Sequence, residues 1–266
     1  MPWGRMRVWQ GGAGTPLLAV HGLGGSGRYW DGLARRVGDR FRVLAPDLAG
    51  FGTSDKPAAP YDRDFHLEGL DAVVRELGGD GHAVVVGHSL GAVFAALWAG
   101  RHPERALGLA LVAAPFPSGG GEPEWARRSP PLGYRLAAGV ARAAWPLVAV
   151  PIGVVRGYPA ALVRDYGRQR LHSRTRTMVS ALYDPSVTAE LQTVGALPPT
   201  VPVLLVNARD DRTVPIDDQE RWAELLPGAD RRVLEDGGHQ FPLHTDFAEL
   251  VRWLRDLRPD VPRRLP

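Results

Sequence analysis

Apolar residues gather in short continuous runs at 17–20, 42–45, 83–86, 107–112 and 201–206, with strand-like stretches also at 5–10 and 231–234. Segments of helical character lie between them at 28–37, 65–77 and 90–101, the last ending before Pro103. Runs this short and this continuous suit strands buried on both faces. Strands that alternate with helices pair in parallel, because each helical crossover carries the chain back along the sheet. Near the end, Leu250, Val251, Leu254 and Leu257 share one face of a closing helix over 247–257. The pattern predicts an α/β fold with a mostly parallel sheet flanked by helices.

The alternation stops between 116 and 198, where prolines, glycines and aromatic residues are frequent. A stretch of about 80 residues is too long for a structureless loop. It is expected to form a helical cap, residues 116–198, inserted into a core made of 1–115 and 199–266. Within it, residues 143–155 carry no charge. Pro146 and Pro151 interrupt this run and Arg156 ends it, short of the about 20 apolar residues a membrane span requires. A cap helix over an apolar pocket is expected, with no stable membrane insertion.

The 266 residues include no cysteine, which excludes disulfides, thiolate nucleophiles and Cys-bound metals. Basic and acidic residues number 32 and 29, for a net charge of +3, and Lys56 is the sole lysine. Arginines cluster at 127–128, 168–176 and 263–264, but acidic residues are interleaved along most of the chain and no aromatic stacking motif accompanies them. They read as solvated surface, so no nucleic-acid partner is expected. Residues 1–14 are polar and glycine-rich without the apolar core of a signal peptide, so the expected location is cytoplasmic.

The candidate chemistry begins at Gly87-His88-Ser89-Leu90-Gly91, a Gly-x-Ser-x-Gly motif between a predicted strand and a predicted helix. In such an elbow the serine sits in a tight exposed turn that only small flanking residues permit. The helix behind it aims N-terminal amides at any negative charge that develops. Alone, the motif more often marks a serine that simply N-caps the helix. A nucleophilic serine also needs a base, and the base needs an orienting acid. His239, in Asp236-Gly237-Gly238-His239, follows the last predicted strand and is the best base. The strand before the insertion ends in Ala113-Ala114-Pro115, without a carboxylate. The acid must then come from the loop after 201–206, as Asp211 or, as a fallback, Asp210. His82, His102, His172 and His244 read as surface or structural, and Asp47 and Asp55 as turn residues. His239 and His244 are spaced poorly for a shared metal.

Acyl transfer also requires amides aimed at the oxyanion. Leu90 N–H directly follows the serine. Leu23 N–H, in Val20-His21-Gly22-Leu23-Gly24-Gly25, is the expected second donor. The same loop, through Gly22-Leu23-Gly24-Gly25-Ser26-Gly27, spells the G-x-G-x-x-G of a dinucleotide-binding turn, with Asp47 as its acidic partner. That reading makes the protein an oxidoreductase and leaves Ser89, Asp211 and His239 unexplained.

Taken together, His21-Gly22, the Asp47-to-Ser54 segment, Gly87-His88-Ser89-Leu90-Gly91, Asp211-Arg212-Thr213-Val214-Pro215 and Gly238-His239 resemble the α/β-hydrolase fold serine hydrolases. The resemblance covers about 15–115 and 199–258. It implies an eight-stranded, mostly parallel sheet with a variable helical cap inserted after the sixth strand. It implies a Ser89–His239–Asp211 catalytic triad and no cofactor or metal. Serine at the elbow, rather than aspartate, disfavours dehalogenase and epoxide hydrolase chemistry. The expected activity is cleavage of an ester, thioester or related acyl bond of a small, largely apolar substrate through an acyl-enzyme. Expected pocket residues are His21, Gly22, His88, Trp125, Trp145 and Tyr158, with Tyr134, Tyr166, Met178 and Tyr183 also in the cap. Arg168, Arg170, Arg174 and Arg176 are candidates for a coenzyme A arm. Non-hydrolytic catalysts such as cyclases and perhydrolases, and binding modules, use the same fold.

Overall fold

The structure, a computed structural model, describes residues 1–127, 132–155 and 158–258, with side chains apart from those of residues 125, 132–139, 141 and 142. Among the described residues, seven strands form one sheet: β1 (Val8–Gly11), β2 (Thr15–Val20), β3 (Phe41–Pro46), β4 (Ala83–His88), β5 (Ala106–Val112), β6 (Val203–Ala208) and β7 (Asp230–Leu234). Their order is β1-β3-β2-β4-β5-β6-β7, with β1 antiparallel to β3 and every other pair parallel. The expected eighth strand is missing from this set. Residues 5–7 do not extend β1, because their backbone groups bond instead to the 47–55 loop. Arg5 N–H donates to the Asp55 carboxylate, Arg7 N–H to the Ser54 hydroxyl, and the Asp47 and Asp55 amides donate back to Arg7 and Arg5 carbonyls. The insertion accordingly follows the fifth strand, not the sixth.

Alternate strand residues face two separate cores, as a parallel sheet covered on both sides requires. Leu18, Val20, Val85, Leu109 and Leu205 point toward α2 (Arg63–Leu77) and α3 (Leu90–Arg101). Leu17, Ala19, Val84, Val86 and Leu204 point toward α1 (Asp31–Val37) and the closing helix α11 (Ala248–Asp256). Residues 90–100 of α3 are all buried, which fits a helix that is apolar on every side.

The insertion is helical: α4 (Glu124–Arg127), α5 (Leu132–Val155), α6 (Ala160–Gly167), α7 (Leu171–Leu182) and α8 (Val187–Gly195). Its last two helices join the main core, with Ala181, Val187, Leu191 and Val194 packed against α3. The α5–α6 pair stands further out, and Val140, Leu147, Val148, Ile152, Val154 and Val155 of α5 are exposed. No described helix is long and apolar enough to cross a membrane. The chain then returns through β6, α9 (Ile216–Leu225), β7 and the short α10 (Phe241–His244) to α11.

Candidate active site

Parallel strands end on the same side of the sheet, so the loops after β4, β6 and β7 emerge together. The first of these turns at Ser89. Its φ of +55° is sparsely populated for a residue with a side chain. Tertiary contacts hold it there. Ser89 N–H donates to Val112 O at 2.8 Å, and the two motif glycines admit close backbone approach. A Cβ on Gly87 would lie 2.2 Å from Gly91 O, and one on Gly91 would lie 2.3 Å from Val20 O. Ser89 occupies the N-cap position of α3 but makes no capping hydrogen bond through its side chain. Its Oγ instead lies 2.9 Å from His239 Nε2.

The other face of the His239 ring system is equally committed. Nδ1 lies 2.8 Å from Asp211 Oδ2. An ionised carboxylate only accepts, so Nδ1 carries the proton and Nε2 presents a lone pair to the Ser89 hydroxyl. Asp211 Oδ1 accepts from the Thr213 and Val214 amides at 2.8 and 2.9 Å. Burial pushes the Asp211 pKa up, but hydrogen bonds from His239 and the Val214 and Thr213 amides outweigh it, and the net direction is down. The carboxylate therefore stays ionised where a base is needed. Asp210 does not reach the ring. Its Oδ1 accepts from Gly238 N–H at 2.8 Å and so braces the glycine turn that presents His239.

The glycine loop at 22–25 lies directly against Ser89, since a Cβ on Gly22 would sit 3.0 Å from Ser89 Cβ. Among the described residues nothing accepts from the Leu23 N–H, and Leu90 N–H, first in α3, has no acceptor either. Both amides are free to donate. Asp47 is fully engaged: Oδ1 accepts from Trp9 Nε1 and Gly27 N, and Oδ2 from Thr53 N and Oγ1, all within 2.9 Å. With four donors and no exposure, it has no capacity left for a ribose hydroxyl, which removes the physical basis of the dinucleotide reading.

The pocket expectations need correction. His21 and His88 are 1% and 2% exposed, and both back the site from behind rather than line it. His21 Nε2 accepts from Leu48 N–H at 3.1 Å, so its Nδ1–H donates to Gly22 O at 2.8 Å. His88 Nε2–H donates to His239 O at 2.9 Å, and its ring stacks on Tyr29. Trp145 donates its indole N–H to Val163 O and stacks on Tyr166, within the α5–α6 contact. Tyr158 does approach the site side of the sheet, with its ring 5.9 Å from that of His244. The side chains of Trp125 and Tyr134 lie outside the described residues. Of the arginine cluster, Arg168 pairs with Asp165, Arg174 with Tyr166 Oη and Arg176 with Glu122. Arg170 makes none of these pairings; with Arg168 it lies near Lys56, whose pKa is lowered first by burial and further by these two positive charges.

Burial also sets a pH response. It lowers the His66 and His88 pKa values from 6.5 to about 3, with smaller repulsion from His21 and His239 respectively. Between those values the unfolded chain binds protons that the fold refuses. Stability is therefore full above about pH 6.5 and is lost as pH falls toward 3. Each histidine contributes up to about 1.4 kcal/mol per pH unit. Urea unfolding between pH 6 and 5, where carboxylates remain ionised, is expected to show stability falling by about 2–3 kcal/mol. A flat profile over that interval would contradict neutral burial of both rings.

The sequence model of the alpha/beta hydrolase fold matches residues 15–244. The chain belongs to the α/β hydrolase family. An uncharacterized protein of Mycobacterium tuberculosis is 28% identical to this α/β hydrolase over 255 residues, covering 90% of this chain and 74% of the relative. A 2-(acetamidomethylene)succinate hydrolase of Mesorhizobium japonicum is 34% identical over 99 residues, 37% of this chain and 35% of the relative. Among solved structures, a thermophilic esterase from Thermogutta terrifontis superposes with a TM-score of 0.70 at 22% identity, over 95% of this chain and 93% of that one.

Proposed function

We propose that this α/β hydrolase is a serine hydrolase that cleaves an ester, thioester or related acyl bond of a small, largely apolar substrate. One observation carries the reading: the unbroken hydrogen-bond chain Ser89 Oγ–His239 Nε2 and His239 Nδ1–Asp211 Oδ2, at 2.9 and 2.8 Å. In the first step Ser89 Oγ bonds to the substrate carbonyl carbon as its proton passes to His239 Nε2. The Leu23 and Leu90 amides donate to the resulting oxyanion. Collapse breaks the bond to the leaving group, which takes the proton from His239. In the second step water adds to the acyl carbon, its proton goes to His239, and the bond to Ser89 breaks, releasing the acid and restoring the hydroxyl. Asp211 stays ionised throughout and stabilises the imidazolium. General-base assistance of this kind is worth about 10²–10⁴-fold and each oxyanion donor a few kcal/mol.

The groups packed against Ser89 support an uncharged acyl group. Gly22, which lies against Ser89, and Leu90, which follows it, carry no charge. In the same reading α5 and α6 act as the lid of the site. The protein is expected to turn over p-nitrophenyl esters and acyl thioesters of graded chain length, with kcat/KM peaking at one apolar chain length. Equal rates in buffer and enzyme for every ester and thioester in the series would refute acyl hydrolysis.

A further inference from the structure

The loop that carries the Leu23 amide is gripped from two directions. The sheet holds it through Asp47, whose Oδ1 accepts from Gly27 N–H at 2.7 Å. The insertion holds it through Asp165 on α6. That carboxylate is only 3% exposed, and its Oδ2 accepts from the Ser26 hydroxyl at 2.9 Å. Arg28 lies 3.7 Å from Oδ2, and Arg168 lies 3.3 Å from Oδ1. Two further contacts reach the same loop. The Gln169 side-chain amide donates to Gly24 O. Gly24 also leaves room for the Tyr166 ring, which a Cβ there would meet at 2.4 Å.

Burying a carboxylate costs several kcal/mol unless charge and hydrogen bonds compensate, and an apolar residue would fill the space at lower cost if packing were all that was required. The partners that compensate Asp165 include Ser26 and Arg28, immediately after the glycines that frame Leu23. We propose that Asp165 is a positioning residue: through Ser26 and Arg28 it fixes the 22–28 loop so that the Leu23 amide faces the oxyanion, which makes the oxyanion hole depend on docked α6. The inference rests on the serine hydrolase reading above. An amide displaced by a fraction of an ångström still permits substrate binding but stabilises the transition state less, so the effect falls on kcat.

The test is steady-state kinetics on p-nitrophenyl butyrate for the wild type, Ser26→Ala, Asp165→Asn, Asp165→Ala and the pair Ser26→Ala/Asp165→Asn, with Ser89→Ala as the blank. Active sites are counted by titration with a fluorophosphonate. Affinity for an alkyl trifluoromethyl ketone, whose hemiketal oxyanion occupies the hole, is measured in parallel. Per active site, kcat is expected to fall about 10- to 100-fold in Asp165→Ala and about 10-fold in Ser26→Ala, with KM within about threefold. Ketone affinity should weaken in proportion to kcat/KM, and the paired variant should be no worse than its worse single member. Unchanged kcat and ketone affinity per active site, with only a lower Tm, would overturn the positioning role and leave the hydrolase reading intact. A wild type that neither titrates nor turns over ester would overturn both. Should Asp165→Ala fail to fold, Ser26→Ala decides the matter, since it removes a single hydroxyl.

Discussion

Ser89→Ala is expected to fold as the wild type does and to lose at least about 10⁴-fold in kcat. The strained turn is imposed by the strand ends around it, through the Val112 carbonyl and the close approach of Gly91 to Val20. None of these contacts involves the hydroxyl, and Oγ caps no helix amide. In the proposed mechanism, removing it deletes the bond-forming atom while the base, acid and amides stay in place. The residual rate then reflects binding and oxyanion stabilisation alone, far below what covalent attack provides. Turnover per protein, set beside the circular dichroism melt of both proteins, checks both halves of the expectation. A variant that keeps a tenth of the wild-type rate would place the chemistry elsewhere.

The second large effect separates two adjacent carboxylates. Asp211→Asn is expected to lower kcat by about 10⁴-fold, whereas Asp210→Asn should stay within about tenfold of wild type. The carboxylate at 211 accepts from His239 Nδ1–H and from two loop amides. An asparagine can satisfy the loop amides with its oxygen only by turning its NH₂ group toward Nδ1. The ring then moves its proton to Nε2, and the lone pair that the proposed mechanism uses to receive the Ser89 proton is lost. Asp210 accepts from Gly238 N–H in an exposed turn, and an amide oxygen accepts that bond nearly as well. Comparable losses in the two variants would mean that the ring orientation is not governed by Asp211.

Much of this arrangement is legible in the sequence because each piece has a local cause. The buried strands are continuous apolar runs, the elbow announces itself by two glycines, and the order Ser89, Asp211, His239 follows from which strand each loop leaves. Strand edges are less legible. Residues 5–7 look like the start of β1, yet their backbone groups bond to Ser54, Asp55 and Asp47. Prolines also mislead: α5 runs through Pro146 and Pro151, both on its exposed side, where water can satisfy the carbonyls they leave unpaired. His21 and His88 sit in motifs beside the serine, and nothing local distinguishes a histidine buried behind a site from one that lines it. Asp165 carries no signal at all, because its partner Ser26 lies 139 residues away in the chain.

The central claim is that Ser89 is the activated nucleophile. Intact-protein mass spectrometry with peptide mapping, after incubation with a fluorophosphonate, tests it most directly. The expected result is one adduct per chain, mapped to Ser89, absent in Ser89→Ala and formed far more slowly in His239→Ala. No adduct on the folded wild type, or an adduct that persists in Ser89→Ala, would contradict it.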